Sequence, residues 1–329
     1  MSVDPKSTSE PIDDLEFVYK VAFLAWKKGL TSNFIAKELK GAGDPRMIMR
    51  VKRALQRASK EGVLVLNPPV ERSFQEELKK RWRRVDFTVA RGEFMSPGDT
   101  VHLAASQVLS AKIETLWKNT KTDLVIANTG GRAVSETVRY LRQAGYILER
   151  REGLRANFIS ANSAGRSNKF QQSSNFIAVQ LSELYGGDHI AVLGAADSSA
   201  DTEYADLTKN IDLLVCGAGG RASRLVEFTN ESGIKLPPDM VGDIAFVPLD
   251  ESGRRIKYEP LRQLINDHLH AVPDHDEILR IAAHPPRSVL VVLSGDSKLE
   301  IALAILRGGL ASDVVLDLSL ARSILSCMD

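Results

Sequence analysis

The sequence predicts an α/β protein in which a small helical domain precedes a larger domain built on a doubly wound, mainly parallel sheet. Two observations predict this fold class. From about residue 85 onward, unbroken Val-, Ile- and Leu-rich runs alternate with helical patterns, which is typical of parallel strands covered on both faces. The N-terminal part instead holds short helical patterns between glycine-containing turns. A chain of 329 residues is long enough for two domains.

The small domain is predicted over residues 13–68, behind a loose tail at 1–12. It opens with a helix that ends at Gly29, and a second, shorter helix follows. Asp44 and Pro45 suit the N-cap and the first position of a third helix, after which VLVLNPPV predicts a short strand. Three helices and a strand of this size predict a plain or winged helix-turn-helix domain.

Charge is unevenly distributed along the chain. The whole sequence has 43 Lys and Arg against 42 Asp and Glu, yet residues 19–60 hold eleven of the basic residues and only two of the acidic ones. This stretch carries a balance of +9, and the rest of the chain a balance of −8. A basic domain on an acidic body favours a polyanion as the partner of the first domain. Solvated side chains on helix faces are the alternative.

The third helix carries the residues best suited to contact DNA. A helix that enters the major groove needs positive charge against the phosphates and side chains that reach base edges. We therefore predict double-stranded DNA as a partner, with Arg46, Arg50 and Arg53 as the main contacts. Weaker candidates are two further cations and two polar residues at the start of the second helix: Lys52, Arg57, Ser32 and Asn33. An ordinary helical subdomain or dimerisation element is the alternative.

Residues 69–84 are predicted as a polar connector helix, and residues 85–329 as the effector-binding domain. The predicted strands of this domain are the apolar runs DLVIAN, HIAVLGA, IDLLVCGAG, DIAFVPL, SVLVVLSG and DVVLDL. Helical patterns lie between several of them, such as AVSETVRYLRQAG and KLEIALAILRGG. This alternation predicts the parallel sheet.

Glycines follow several of these runs, at the edge where a parallel sheet binds its ligands. Four segments place glycine after an apolar run and before a helical pattern, namely residues 128–132, 216–221, 241–243 and 294–298. Glycine lets backbone N–H groups approach a ligand, and a helix N-terminus favours an anion. Arg132, Arg221 and Lys298 add positive charge. Together these loops predict an anion-binding pocket, although each alone is also compatible with a tight turn.

The sequence predicts no catalytic residue, no metal and no cofactor. Residues 217–222 fit the glycine fingerprint of dinucleotide sites, but the prolines of LPPDMVGD interrupt the βαβ unit that such a site needs. The six histidines, among them His102, are predicted to be surface residues. Lys298 is expected to contact an anion rather than to form a Schiff base. No apolar run suits a membrane span and the polar start is no signal peptide, which predicts a cytoplasmic protein.

Short motifs recur in a fixed order along both domains. In the first domain they are YKVA at 19–22, GLT at 29–31, IAKEL at 35–39 and the Ala- and Leu-containing series at 53–63. In the second they are GGR at 130–132, DLLVCGAG at 212–219, VGDI at 241–244 and a closing series from Ser294 through Lys298 and LRGG at 306–309 to Leu325. With these motifs the chain resembles the SorC-type sugar-binding transcriptional regulators of bacteria from about residue 15 to residue 325.

The resemblance implies an N-terminal helix-turn-helix, a C-terminal Rossmann-like domain of the sugar-phosphate-isomerase-like type, and homodimers or homotetramers that act on paired operator sites. It also implies a sugar or sugar-phosphate effector, with contacts at Gly130, Gly131, Arg132, Gly217, Gly219, Asp243 and Lys298. The neighbouring loop residues Gly220, Arg221 and Gly295 complete the predicted site. The chain departs from the family pattern at Ala133, where the family has threonine, and at Ser294, where it has glycine.

These observations favour a DNA-binding transcriptional regulator whose effector modulates operator binding. One alternative is a sugar-phosphate isomerase- or deaminase-like enzyme whose basic domain serves oligomerisation. Another is a binding module that regulates by protein contact alone.

Overall fold

The chain forms two compact units, one of residues 1–66 with 142–145 and the other of residues 67–141 with 146–329. The structure is a computed structural model that describes residues 17–18, 20–22, 24–25, 32–39, 44–60, 69–92, 97–144, 151–164, 170–186, 188–190, 206–221, 223–270 and 273–327. Among these residues, none of the helices combines the length and the apolar character that crossing a bilayer requires.

The first unit consists of short helices around a small apolar core. Helical residues at 17–18, 20–22 and 24–25 precede α1 (Ser32–Glu38) and α2 (Pro45–Lys60). The Asp44 carboxylate accepts a hydrogen bond from the Arg46 N–H at 2.8 Å, so Asp44 caps α2 as predicted. The predicted strand VLVLNPPV falls mostly outside the described residues. The buried core side chains are Val18, Val21, Ala22, Ile35, Ala36, Val51, Ala54 and Ala58.

The second unit is an α/β domain around a mainly parallel sheet. The strands of its described residues are β1 (Asp86–Ala90), β2 (Leu124–Asn128), β3 (Ala156–Ser160), β4 (Ser163–Ala164), β5 (Asp188–Ile190), β6 (Leu213–Gly219), β7 (Gly242–Ile244), β8 (Val247–Leu249), β9 (Leu269–His270), β10 (Ser288–Leu293) and β11 (Asp313–Asp317). The parallel strands lie in the order β1-β11-β10-β6-β2-β3-β5. An antiparallel β7–β8 hairpin pairs with β6, and β4 pairs with β9.

Helices cover both faces of this sheet. They are α3 (Arg72–Arg81), α4 (Pro97–Asn119), α5 (Arg132–Ala144), α6 (Ser174–Tyr185), α7 (Arg224–Glu231), α8 (Glu259–His268), α9 (His275–Ala283), α10 (Leu299–Gly308) and α11 (Leu318–Ser326). Side chains alternate along a strand, so in β2 Val125 and Ala127 join the core under α3, α9, α10 and α11, whereas Leu124 and Ile126 join the core under α4, α5 and α6. This confirms the α/β class with a mainly parallel sheet.

The run DIAFVPL is not the single strand that its apolar character predicts. Ala245 and Phe246 have positive φ angles of 50° and 65°, and they form a turn that folds the run into the β7–β8 hairpin. Consequently Gly242 and Asp243 lie in a strand instead of a loop that precedes a helix. Sequence reasoning misses this turn because neither alanine nor phenylalanine favours the left-handed region.

Other strand predictions differ in smaller ways. The strands β1 and β3 are not among the predicted runs, because Asp86, Thr88 and Asn157 interrupt their apolar residues. Of HIAVLGA, only the first residues are described, within β5. The predicted connector corresponds to α3, which packs through the fully buried Leu78.

The sheet topology explains where a cavity forms. The neighbouring strands β2 and β6 are followed by connections that diverge, because the chain passes from β2 through α5 to β3 on one side and from β6 onward to β10 on the other. In open α/β sheets, a crevice opens at the carboxyl ends of two such strands, and ligands bind there. The expected position of a site is therefore the carboxyl ends of β2 and β6.

The loop after β8 approaches α10 so closely that only glycine fits at Gly253. Its φ angle is +79°, and an added Cβ would clash with the Ala304 carbonyl oxygen and lie 2.6 Å from the Gly308 Cα. We expect Gly253→Ala to lower the free energy of unfolding by about 3 kcal/mol or more, because backbone strain and a backbone clash combine. Urea denaturation measures this loss.

The matched control is Gly233→Ala. Gly233 has a similar φ angle of +67°, but an added Cβ meets nothing within 4 Å. We expect a loss of about 1 kcal/mol from the left-handed backbone alone. Equal losses in the two variants would show that the approach of Gly253 to α10 contributes nothing.

Candidate ligand-binding site

A cavity of 810 Å³ opens at the carboxyl ends of β2, β6 and β10. Its wall is formed by the loop between β2 and α5, the end of β6, the turn between β7 and β8, and the residues that follow β10. A volume of this order suits a small-molecule ligand. The cavity lies where the divergent connections of the sheet place it.

The cavity brings together most of the residues predicted to contact an effector. Three of the predicted residues lie outside its wall. The Arg221 side chain is 71% exposed and its Nε donates to Glu300 at 2.9 Å, the Gly295 N–H donates to the Asp317 carboxylate at 2.6 Å, and Gly220 is buried beside the Ser297 backbone. The predicted residues in the wall are Gly130, Gly131, Arg132, Gly217, Gly219, Asp243 and Lys298.

The N-terminus of α5 presents unused backbone donors to the cavity. The Gly131 carbonyl accepts the first helical hydrogen bond, from the Ser135 N–H at 3.1 Å, so Gly131 is the N-cap and supplies no capping side chain. Among the described residues, the N–H groups of Arg132, Ala133 and Val134 have no hydrogen-bond partner. Such groups at a helix N-terminus favour an anion.

The neighbouring glycines hold this terminus in place. The Gly130 N–H donates to Asn162 Oδ1 at 3.0 Å, and the Gly131 N–H donates to the Gln172 carbonyl at 2.8 Å. An added Cβ on Gly130 would lie 2.8 Å from that same carbonyl oxygen, so the close approach requires glycine. Sequence reasoning missed Asn162 and Gln172 because they lie far along the chain from the loop that they hold.

Lys298 also lines the cavity, just before α10. Its Nζ donates to the Ala218 carbonyl at the end of β6, at 2.9 Å. Burial lowers the pKa of Lys298, and the nearby Asp243 acts against this effect. The ammonium group is therefore held inside the cavity with donors to spare, since an ammonium carries three.

Asp243 is a buried acid in the same wall. The Ser223 side chain and the Phe246 N–H donate hydrogen bonds to its carboxylate, but its Oδ1 has no partner among the described residues. Burial raises the pKa of Asp243 to about 6. Gly219 makes room for this carboxylate, because an added Cβ would lie only 3.0 Å from the Asp243 Cγ. Oδ1 is therefore available as an acceptor for a ligand.

His102 on α4 is a wall residue that sequence reasoning placed wrongly on the surface. It is 5% exposed, and its Nδ1 is buried without a hydrogen-bond partner among the described residues. Burial lowers the pKa of His102, and nearby charges make smaller contributions of both signs. The surface prediction fails because only the packing of α4 on the sheet turns this position inward. No local signal marks it.

The titratable residues within the described part of the chain offer no metal site. The described residues include no group of three or more His, Cys, Asp or Glu that is arranged to hold a metal ion. Cys216 lies in β6, and its burial raises the pKa of its thiol to about 12.

Asp243→Asn should stabilise the unliganded protein at neutral pH. The pKa of Asp243 in the native state, about 6, lies above the ordinary value of 3.8. Between these two pH values the native state therefore binds more protons than the unfolded state. Stability therefore falls as the pH rises through this window and stays low above it. We expect the variant to gain about 1–3 kcal/mol at about pH 7, with no gain near pH 4. Urea denaturation across this range, with the exposed Asp239→Asn as control, measures it. An unchanged pH profile would contradict the burial argument.

The predicted DNA contacts lie on α1 and α2 of the first unit. Arg46, Arg50 and Arg53 are exposed and follow one another at helical spacing along one flank of α2. The Arg50 guanidinium lies 4.3 Å from the centre of the Phe17 ring. The weaker candidates Lys52 and Asn33 are exposed, whereas Ser32 and Arg57 are half-buried.

The fold and the cavity define a Rossmann-like α/β domain attached to a small helical unit. Solved structures with this fold include transcriptional regulators. A scan against protein-family models and a search of curated proteins give no match.

The full-length sorbitol operon regulator SorC from Klebsiella pneumoniae has this fold, with a TM-score of 0.59 and 14% identity over 95% of this chain and 99% of that one. A transcriptional regulator from Streptococcus pneumoniae matches with a TM-score of 0.60 and 15% identity over 78% of this chain and 97% of that one. A DeoR-family regulator from Listeria monocytogenes matches with a TM-score of 0.53 and 17% identity over 77% of this chain and 98% of that one. These comparisons confirm the SorC-type resemblance at the level of the fold.

Proposed function

We propose that the protein is a DNA-binding transcriptional regulator whose α/β unit binds a sugar or sugar phosphate, and that this effector modulates operator binding. The observation that carries the proposal is the cavity at the carboxyl edge of the sheet, with anion donors and a buried acceptor in one wall. The fold comparisons support it, because the full-length SorC regulator covers nearly the whole chain.

The cavity suits a ligand with two kinds of polar group. The free N–H groups at the start of α5, Arg132 and the Lys298 ammonium would take an anionic group such as a phosphate. The unpartnered Asp243 Oδ1 would accept a hydrogen bond from a hydroxyl. A sugar phosphate offers both groups in one small molecule.

The first unit suits DNA. Its basic residues give it a balance opposite to that of the rest of the chain, and the exposed arginines of α2 offer charge at helical spacing. Paired operator sites would require a homodimer or homotetramer. Such an assembly would have one arrangement of subunits that binds the operator and one that does not. An effector can shift operator binding only if its affinities for these two arrangements differ.

Selection of bound duplexes from a random DNA pool tests the proposal, with and without a panel of aldose and ketose monophosphates. We expect a pseudo-palindromic sequence to be enriched, and at least one sugar phosphate to change the enrichment. A chain with no affinity for any duplex at low salt would refute the DNA-binding part. A panel without effect on either stability or enrichment would refute the effector part.

A second candidate is an enzyme of the sugar-phosphate isomerase or deaminase type. The buried His102 and Asp243 and the half-buried Lys298 favour it, because groups with perturbed pKa values cluster at active sites. Incubation of the same panel with the protein, followed by product analysis, separates the two functions. Turnover that Asp243→Asn abolishes would establish the enzyme.

A further inference from the structure

We propose that His102 is a ligand-binding residue that donates a hydrogen bond to the anionic group of the effector and takes up a proton when that group binds. This inference rests on the proposed function, because it assigns a role at the same cavity. None of the sequence motifs includes His102, so the assignment depends on the structure alone.

The geometry of the cavity supports this role. His102 lies in the cavity wall and is only 5% exposed. Its Nδ1 has no hydrogen-bond partner among the described residues. Its Cε1 would lie 3.7 Å from a Cβ on Gly98, and the Ser294 Oγ would lie 3.9 Å from that same point, so His102 and Ser294 share one corner. A buried, unpartnered imidazole is costly unless a ligand satisfies it.

The N-terminus of α5 is the second, independent feature of this corner. Its free N–H groups favour an anion, and Arg132 and Glu136 of α5 are near enough to act electrostatically on His102. An anion bound at this terminus therefore also acts on the imidazole. Neutral imidazole has one N–H donor and imidazolium has two, so protonation adds a donor as well as a charge.

The sign of the proton linkage follows from the charges around His102. Burial is the largest effect and lowers the pKa of the free imidazole, Arg132 and Arg139 also lower it, and Glu136 and Asp99 raise it. Asp243 and Lys298 line the same cavity, and their pKa values are shifted as well. A bound anion favours the imidazolium, so binding takes up a proton and anion affinity rises as the pH falls.

The test follows the His102 signal directly by NMR of the full-length protein with ¹³C-labelled histidine, using His102→Gln to assign it. The probe is inorganic sulfate, which does not itself titrate between about pH 5 and pH 8. We expect sulfate to raise the pKa of His102, and sulfate affinity to increase about tenfold from pH 8 to pH 6. In His102→Gln the affinity should be weaker and its pH dependence smaller.

The matched control is His275→Gln. His275 lies outside this cavity, where its Nε2 contacts the Gly253 carbonyl at 2.9 Å, and we expect its replacement to leave sulfate affinity unchanged. The proposal is overturned if saturating sulfate leaves the His102 signal unmoved, if sulfate does not bind, or if Asp243→Asn alone removes the pH dependence. The proposed function survives these outcomes as long as a sugar phosphate still alters DNA binding.

Discussion

Replacement of Arg46, Arg50 and Arg53 by alanine is expected to abolish most of the affinity for DNA. Each arginine that neutralises a phosphate releases counterions, so each loss lowers the magnitude of the log K against log[salt] slope by about 0.9. For the triple variant we expect a decrease of about 2.7 in this slope and an affinity about 10²- to 10³-fold weaker at about 0.1 M salt. Fluorescence anisotropy at several salt concentrations measures both quantities.

The single variants refine this expectation. The Arg50 guanidinium already lies over the Phe17 ring, so we expect Arg50→Ala to cost less affinity than Arg46→Ala or Arg53→Ala. A charge-matched control replaces Lys121, Lys235 and Lys257, which are exposed residues of the second unit. If that control weakens DNA binding as much as the arginine variant, net charge rather than α2 carries the binding.

Lys298→Met should remove most of the affinity for a phosphorylated effector. Methionine keeps the unbranched apolar stem but loses the ammonium, which the Ala218 carbonyl holds inside the cavity. Loss of a charge-assisted contact in a desolvated site costs about 3 kcal/mol, a factor of about 100 in Kd. At a ligand concentration of about 100 Kd, the wild-type protein gains about 2.7 kcal/mol of stability, and the variant should gain far less. Thermal-shift titration with the sugar phosphates measures this.

Arg221→Met is the matched control for this prediction. Its sequence position predicts a contact with the effector, but its guanidinium pairs with Glu300 at the surface. An exposed ion pair contributes little, so we expect the free energies of ligand binding and of unfolding each to change by less than about 1 kcal/mol. Comparable loss of ligand affinity in both variants would mean that long-range charge, not the position of Lys298, governs binding.

The class of the fold follows from patterns that act over short distances. The unbroken apolar run of β2 needs partners on both faces, and helices α5 and α10 have the periodicity that supplies them. The cap at Asp44 is equally local, because its carboxylate needs only the N–H group two residues away. Such features are predictable because the interacting residues are close in sequence.

The site was only partly predictable. The glycines at 130 and 131 and Lys298 follow strands, so their place at the carboxyl edge could be foreseen. His102 was assigned to the surface and Asp243 to a loop, since nothing in their neighbouring residues indicates the packing of α4 or the turn at Ala245 and Phe246. Arg221 was assigned to the site but lies outside the cavity wall, because its guanidinium pairs at the surface with Glu300, a carboxylate far along the chain.

The sequence by itself determined the two-part organisation, the parallel sheet and the basic character of the first unit. Periodicity and composition encode these properties directly. The tertiary structure decided which polar groups face the cavity and which are left without partners. That outcome depends on contacts between residues far apart in the chain, such as Gly130 with Asn162 and Lys298 with Ala218, and local patterns do not specify such contacts.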